Sequence, residues 1–410
     1  MRIAALSAFP ADVARARGGG AFGTAEQETA VGIIGAVRRQ GDAAVLRTVR
    51  RFDRARARAS DLVVERAALR RAARACPVDV RRALDLAYAR IRDFHEQQRP
   101  REAARRDAHA DLRLVPTPLD RVGALVPRGS SAYPSTVLMT GVPSQVAGVG
   151  TLVVASPMPP DGQIDPALAY ALELVGATVL YRAGGAAAVA ALAYGTRSLP
   201  RVDKIVGPGN AYTAAAKWLV SADVGIDALQ GPSELVAVAS GDADPHALAL
   251  DLLAQAEHGA GAFAALISDD ATWLRTVGEG IPGLRTQRVR AYHASGLAAA
   301  VRAADAAAPE HVLLAGRGAV ALADRIRHAG ALFIGERSAV AFGDYIAGTN
   351  HSLPTGGTAR WSSALRVDDF IRWTSRASLR GDLRELARAA AAIAGHERMR
   401  YHRASLEARA

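Results

Sequence analysis

The sequence predicts an α/β protein with two globules, each built on a parallel sheet. From about residue 122 onward, short apolar segments alternate with Ala-rich helical segments, which is typical of parallel sheets covered by helices. The chain has 410 residues, half of them hydrophobic, and this is enough for two sizeable globular domains.

The first elements are predicted to be helices, from about residue 24 to 106, because Val31, Ile34 and Val37 recur with the helical period. Strands and helices then alternate. The predicted strands are Val122–Val126, Gly150–Ala155, Ala177–Tyr181 and Lys204–Val206. The predicted helices are Pro166–Leu174, Ala186–Tyr194 and residues 211–219 after the turn at 207–210.

The alternation starts again after Gly231-Pro-Ser233. The predicted strands of this second block are Leu235–Ala239, Ala262–Ile267, Val312–Ala315 and Ala331–Ile334, with a helix over His246–Ala256. We therefore expect two Rossmann-like parallel-sheet globules, with a helical N-terminal arm and a helical C-terminal tail. The expected boundaries are 1–21 for the arm, 22–125 plus 234–372 for the first globule, 126–233 for the second globule and 373–410 for the tail.

The formal net charge of +11 does not predict a nucleic-acid partner. Lysine occurs only at Lys204 and Lys217, and the arginines concentrate in Ala/Arg helical segments whose solvated faces account for them. Cys76 is the single cysteine, which excludes an intramolecular disulfide. The sequence contains no run of about 18 apolar residues, so it predicts no membrane-spanning segment. The first 17 residues lack the apolar segment of a signal peptide, so we expect a cytoplasmic protein.

Gln255 and His258 are the first candidates for a metal site. They lie three residues apart in a predicted helical segment and therefore share a face, where an amide oxygen and an imidazole can bind one ion. His258 could equally be a structural histidine of the core. Asp344, in a predicted loop, could be a further ligand or a turn former. Glu397 and His402 add a carboxylate and an imidazole in the tail.

Glu310 and His311 are candidates for two distinct proton transfers. They follow Pro309, which favours a loop or a helix start, where adjacent side chains can face the same way. The alternative is a structural pair with Glu310 near the positive end of a helix dipole. His351, in the polar loop 350–357, is a candidate substrate or interface contact.

Several long motifs are similar to those of one enzyme family. They are Val126-Pro-Arg-Gly-Ser-Ser-Ala-Tyr133, Val202-Asp-Lys-Ile-Val-Gly-Pro-Gly-Asn-Ala-Tyr212, Gly231-Pro-Ser-Glu234, Asp251-Leu-Leu-Ala-Gln-Ala-Glu-His258, Ala308-Pro-Glu-His311 and residues 343–357. On these motifs the chain resembles the histidinol dehydrogenases over nearly its whole length. The resemblance implies a homodimer that depends on zinc and NAD and oxidises L-histidinol to L-histidine through L-histidinal.

Matched residue by residue, the resemblance also implies a set of site residues. Glu310 and His311 would be catalytic, with His311 removing the alcohol proton and Glu310 activating a water. Most of the zinc site would lie in the first globule and the cofactor in the second, while the tail would reach the partner subunit's site. The implied zinc ligands are Gln255, His258, Asp344 and His402. The implied substrate contacts are these four with Ser233, His311, His351 and Glu397.

The implied cofactor contacts are Asn210, Leu125, Ala187 and Arg128, and three of them depart from the family pattern. Leu125 stands where the family has tyrosine, Arg128 where it has glycine, and Ala187 where it has glutamine. Because an arginine can pair with a phosphate group, Arg128 could compensate for the polar groups missing at positions 125 and 187, or it could favour NADP over NAD. A related dehydrogenase acting on another small primary alcohol remains an alternative, as does, more remotely, a non-catalytic binding protein.

Overall fold

The computed structural model describes residues 3–18, 20–129, 131–259, 261–279 and 288–409. Met1, Arg2 and Gly19 of the predicted arm, Ser130 of the first motif and Ala410 of the tail lie outside the described residues. The strands are β1 (Ile3–Ala5), β2 (Val63–Val64), β3 (Ala103–Arg106), β4 (Ala110–Pro118), β5 (Arg121–Leu125), β6 (Thr151–Ala155), β7 (Val179–Tyr181), β8 (Lys204–Val206), β9 (Gly225–Ile226), β10 (Glu234–Ala239), β11 (Phe263–Ser268), β12 (Val289–His293), β13 (His311–Ala315), β14 (Ala331–Ile334) and β15 (Ile371–Leu379).

The α-helices cover about half of the described residues outside the strands. They are α1 (Phe9–Arg17), α2 (Thr24–Gln40), α3 (Asp42–Thr48), α4 (Arg66–Arg74), α5 (Val78–Glu96), α6 (Pro134–Ala147), α7 (Pro166–Leu174), α8 (Gly185–Tyr194), α9 (Ala211–Val220), α10 (Pro245–Ala256), α11 (Ala271–Glu279), α12 (Leu297–Ala307), α13 (Arg317–Val320), α14 (Val340–Tyr345), α15 (Arg384–His396) and α16 (Arg400–Glu407). Within the described part of the chain, none is long and apolar enough to cross a bilayer.

The chain divides into two compact units. The large unit consists of the residues up to Gln98 together with Leu119–Phe370, and it contains two six-stranded sheets. The small unit consists of Arg99–Pro118 and the chain from Ile371 onward, with an antiparallel sheet of order β15-β4-β3 and the helices α15 and α16. The prediction of an α/β fold with parallel sheets and helical termini is confirmed. The predicted domain boundaries stay predictions.

The first sheet has the order β2-β7-β6-β5-β8-β9, and only β2 is antiparallel to its neighbour. The chain builds outward from β5 in one direction through β6 and β7, then returns to add β8 on the other side. This reversal makes a crevice at the carboxyl ends of β5 and β8, where doubly wound sheets bind ligands. Gly207 follows β8 with φ +99°, and an added Cβ would lie 2.4 Å from the carbonyl oxygen of Leu125. Only glycine therefore fits there.

The second sheet has the order β1-β12-β11-β10-β13-β14, and all its strands are parallel. It reverses in the same way, between β10 and β13. Both strands are completely buried, with apolar clusters on each face. The N-terminal arm supplies the helix α1, as predicted, and also the edge strand β1, which the sequence did not predict.

Two local predictions are wrong. The helical prediction over 24–106 fails at Val63–Val64, which pair with β7 as the strand β2, and at its end, where Ala103–Arg106 pair with β4 as the strand β3. Asp344 lies in the short helix α14, not in a loop. Gly343 allows that helix to pack closely on β14, since an added Cβ would lie 2.5 Å from the ring of Phe333.

Candidate active site

The pairing of β10 with β13 brings two distant segments together. Leu235 is the register partner of His311, so Ser233 and Glu234 lie beside Glu310 at the amino-terminal edge of the second sheet. The helix-start alternative for Glu310 and His311 is wrong, because His311 begins a strand. Glu310 precedes the strand, after a left-handed Ala308 (φ +47°), so both adjacent side chains are buried, at 8% and 3% exposure.

Glu310 is a buried carboxyl group with two donors on one oxygen. Ser233 Oγ donates to Glu310 Oε2 at 2.5 Å, and the backbone N–H of Glu234 donates to the same oxygen at 2.9 Å. Burial raises the pKa of Glu310, although the His311 charge, these two donors and the His258 charge act in the opposite direction. A carboxyl group with a raised pKa is suited to exchanging protons near neutral pH.

His311 is oriented by the main chain of the neighbouring strand. Its Nδ1 lies 3.1 Å from the carbonyl oxygen of Glu234, which can only accept, so Nδ1 carries a proton; in the neutral imidazole the lone pair is then on Nε2. Nδ1 is also 3.5 Å from Glu310 Oε2. Glu234 thus holds both candidate catalytic side chains through its backbone, one by its N–H and one by its carbonyl group.

Gln255 has one satisfied and one unsatisfied end. Its Nε2 donates to Ser233 Oγ at 2.9 Å, whereas its buried Oε1 has no hydrogen-bond partner among the described residues. His258 lies just beyond the end of α10, is exposed, and has its Nδ1 3.3 Å from the carbonyl oxygen of Gln255. A bare amide oxygen in a buried place normally costs about 1–3 kcal/mol, so it fits a site that a ligand completes.

Asp344 and His351 belong to the same neighbourhood. His351 Nδ1 lies 2.9 Å from the carbonyl oxygen of Asp344. Burial lowers the pKa of His351, the charge and carbonyl group of Asp344 raise it, and the charges of His311 and His258 lower it further. His351 therefore lies within the electrostatic influence of Asp344, His311 and His258.

The donors present fit part of the implied zinc site. Gln255 offers the unsatisfied oxygen, while His258 and Asp344 lie in the same large unit. In the described ranges, no group of three or more His, Cys, Asp or Glu side chains is placed to hold a metal ion. Glu397 and His402 are exposed and belong to the small unit. Their implied roles stay predictions, as does the complete four-ligand set.

The implied cofactor residues lie at or near the carboxyl edge of the first sheet. Asn210 Oδ1 caps α9 by accepting from Thr213 N at 3.1 Å. Leu125 ends β5 at 4% exposure, and Ala187 on α8 is completely buried. Arg128 lines a cavity of about 30 Å³ beside Arg182. The assignment of these residues to the cofactor stays a prediction.

Sequence reasoning missed a residue that supports this site. Arg17 Nε and Nη2 donate to the two carboxylate oxygens of Glu234 at 2.7 and 2.8 Å, and Nη2 also donates to the carbonyl oxygen of Ala307 at 2.9 Å. Glu234 ends the motif that begins at Gly231, but no local pattern marks Arg17, which is 217 residues away.

A doubly wound chain with a nucleotide-type crevice in one sheet and a buried carboxyl–imidazole pair at the other has the features of a dehydrogenase. The chain belongs to the histidinol dehydrogenase family, whose family model matches residues 21–410. This membership confirms the predicted class, an NAD-dependent oxidoreductase.

Individual relatives agree with that assignment. The chain is 43% identical over 393 residues to a histidinol dehydrogenase of Ruegeria pomeroyi, covering 92% of this chain and 90% of the relative. It is 45% identical over 357 residues to one of Caulobacter vibrioides, covering 84% and 83%. The crystal structure of histidinol dehydrogenase from Elizabethkingia anophelis matches with a TM-score of 0.87 at 30% identity, covering 93% of this chain and 92% of that one.

Proposed function

We propose that this chain oxidises L-histidinol to L-histidine through L-histidinal in histidine biosynthesis, using two NAD and one zinc ion. The observation that carries the proposal is the buried Glu310–His311 pair beside the unsatisfied amide oxygen of Gln255, in a chain of this family. The pair offers two proton-transfer groups, as two successive oxidations require.

Gln255, His258 and Asp344 would hold the zinc ion, with His402 supplied by a second copy of the chain. Bound zinc supplies orientation, because it fixes the substrate's nitrogen atoms and so the position of its carbinol carbon. Ser233, His311, His351 and Glu397 would complete the substrate contacts. In this proposal the small unit carries Glu397 and His402 into the partner's site, which makes the active form a homodimer.

Asn210 would bind NAD at the crevice of the first sheet, with Leu125, Ala187 and Arg128 around it. NAD supplies the hydride acceptor, and the protein fixes its position relative to the carbinol carbon. The large side chains expected from the family at positions 125 and 187 are replaced here by smaller apolar ones. Arg128 is the nearby cation suited to a phosphate group of the cofactor.

The protein's own groups would move the protons. His311 Nε2 takes the alcohol proton in the first oxidation, because Nδ1 is committed to the Glu234 carbonyl group. Glu310 then takes a proton from the water that adds to the aldehyde, since burial raises its pKa and makes it a stronger base than an exposed carboxylate. The donors Ser233 and Glu234 N hold one oxygen of Glu310 in place throughout.

The test is to incubate zinc-loaded protein with L-histidinol and NAD and to count reduced cofactor per histidine formed. We expect a ratio of two. If the wild-type protein leaves histidinol unchanged but reduces NAD with another small primary alcohol, that alcohol is the substrate and the proposed substrate is wrong. Metal analysis of His258→Ala provides a second readout, because loss of a ligand should abolish stoichiometric zinc, and unchanged content would remove His258 from the ligand set.

A further inference from the structure

A buried ammonium group links the loop after β8 of the first sheet to the segment that leads into β10 of the second sheet. Lys217 on α9 is 1% exposed, and its Nζ donates to the carbonyl oxygen of Gly207 at 3.1 Å, to Gln230 Oε1 at 2.9 Å and to Asp227 Oδ1. All three of its donor positions are therefore used. Asp227 is equally enclosed, with 4% of its side chain exposed.

One side of this cluster holds the loop at the crevice of the first sheet. Asp227 Oδ2 accepts from the backbone N–H of Gly207 at 2.8 Å, so the ion pair binds both main-chain groups of that glycine. Gly207 is also pressed against Leu125. The loop from Gly207 to Asn210 thus begins at a fixed point.

The other side of the cluster holds the segment that enters the second sheet. Gln230 Nε2 donates to Asp227 Oδ2 at 3.2 Å, while its Oε1 accepts from Lys217. The next residue, Gly231, donates its N–H to Thr355 Oγ1 at 2.6 Å. Three residues after Gln230, Ser233 contacts both Gln255 and Glu310.

We propose that Lys217 and Asp227 are a positioning pair that fixes the distance between the cofactor at the 207–210 loop and the substrate at Ser233. The inference rests on the proposed function. Apolar side chains of similar size in place of both partners often stabilise a protein as well as a buried ion pair does, but the directed hydrogen bonds of the pair specify one arrangement of the two loops. Hydride transfer requires that arrangement, since a displacement of about 1 Å costs about 100-fold in rate.

The test compares Lys217→Met with Lys204→Met in the zinc-loaded full-length protein. Lys204 is the matched control, because it is the other lysine of the chain and lies on β8 of the same sheet, and its Nζ donates at 3.2 Å to Asp369, which belongs to neither loop. The measurements are kcat with L-histidinol, the isotope effect with carbinol-deuterated L-histidinol, the Kd for NAD by calorimetry, and zinc content.

We expect Lys217→Met to lower kcat by about 10-fold or more. It should also enlarge the isotope effect, because hydride transfer becomes slower than the other steps, and leave zinc content unchanged. Lys204→Met should keep kcat within about twofold. A Lys217→Met protein with a lower melting temperature but wild-type kcat and isotope effect would reduce the pair to a structural role and overturn the inference.

Gln230→Met covers the case in which Lys217→Met does not fold, because it keeps the ion pair and removes only the link to the second sheet. A fall in kcat smaller than that expected for Lys217→Met, together with an enlarged isotope effect, supports the inference, and wild-type values of both overturn it.

If the wild type leaves histidinol unchanged, the proposed function fails separately. The pair is then tested by the Kd for NAD, which should rise in Lys217→Met and stay unchanged in Lys204→Met; an unchanged Kd in both overturns it.

Discussion

Replacing Gln255 with leucine should make the metal-free protein more stable. The unsatisfied Oε1 costs about 1–3 kcal/mol, while the hydrogen bond from Nε2 to Ser233 contributes about 0.5–1.5 kcal/mol. Leucine has a similar size and removes both. The free energy of unfolding should therefore rise by about 1 kcal/mol in the presence of a chelator.

Zinc should reverse this order. A ligand present at 100 times its Kd stabilises the folded state by about 2.7 kcal/mol. The wild type should gain this stabilisation, and Gln255→Leu should lose most of it because the leucine offers no ligand atom. Urea unfolding with chelator and with excess zinc measures both quantities on the same samples.

Gln145→Leu is the matched control. The amide oxygen of Gln145 accepts from Tyr88 Oη at 2.7 Å and from Arg92 Nη1 at 3.1 Å, so this glutamine is satisfied. Its replacement should lower stability by about 1–3 kcal/mol and leave the zinc effect intact. A Gln255→Leu protein that is less stable than the wild type without metal, or that keeps the full zinc effect, would refute the reasoning.

Three further predictions follow from buried charges. Glu310→Gln keeps an oxygen that accepts from Ser233 and from the Glu234 N–H, but it cannot take a proton. The reaction should therefore stop at the aldehyde, with one NAD reduced per alcohol consumed, and trapping of the aldehyde checks this. Reduction of two NAD per alcohol at the wild-type rate would contradict it. Arg17→Met leaves the Glu234 carboxylate buried without its partner, so the free energy of unfolding in urea should fall by about 3 kcal/mol. The double variant Arg17→Met/Glu234→Gln removes the unpaired charge and should recover most of this loss. Equal stabilities of the single and double variants would contradict the prediction. Burial raises the pKa of Asp53 from 3.8 to about 6, so the folded state holds this proton more tightly than the unfolded state and the wild type loses stability as the pH rises from about 4 to 6. The stability advantage of Asp53→Asn should therefore grow over that window, as unfolding midpoints at pH 4.5, 6 and 7.5 will show, whereas a constant difference would contradict the assignment.

Elements formed by local patterns could be predicted from the sequence. The helix Pro166–Leu174 and the strands Lys204–Val206 and Ala331–Ile334 match their predictions to the residue, because apolar runs are bounded there by turn residues or proline. The strand β15 was missed. Its residues are mostly exposed, and its partner β4 lies about 260 positions earlier, so no apolar alternation marks it.

The candidate site shows the same division. Gln255, His258, Glu310 and His311 could be named as candidates from residue type and spacing. Their geometry could not, because the pairing of β10 with β13 places Ser233 beside Glu310 across 77 residues. The orientation of His311 depends on a backbone carbonyl group, which every residue type carries, so side-chain chemistry gives no signal for it.

The use of the Glu234 main chain as a shared anchor has a consequence for mutational tolerance. Replacing the side chain at position 234 leaves the peptide N–H and carbonyl group in place, so another residue there can retune Glu310 or His311 only indirectly. Such tuning has to come from whatever moves the strand itself. In this chain one contact that holds the strand is the ion pair between Arg17 of the N-terminal arm and the Glu234 carboxylate.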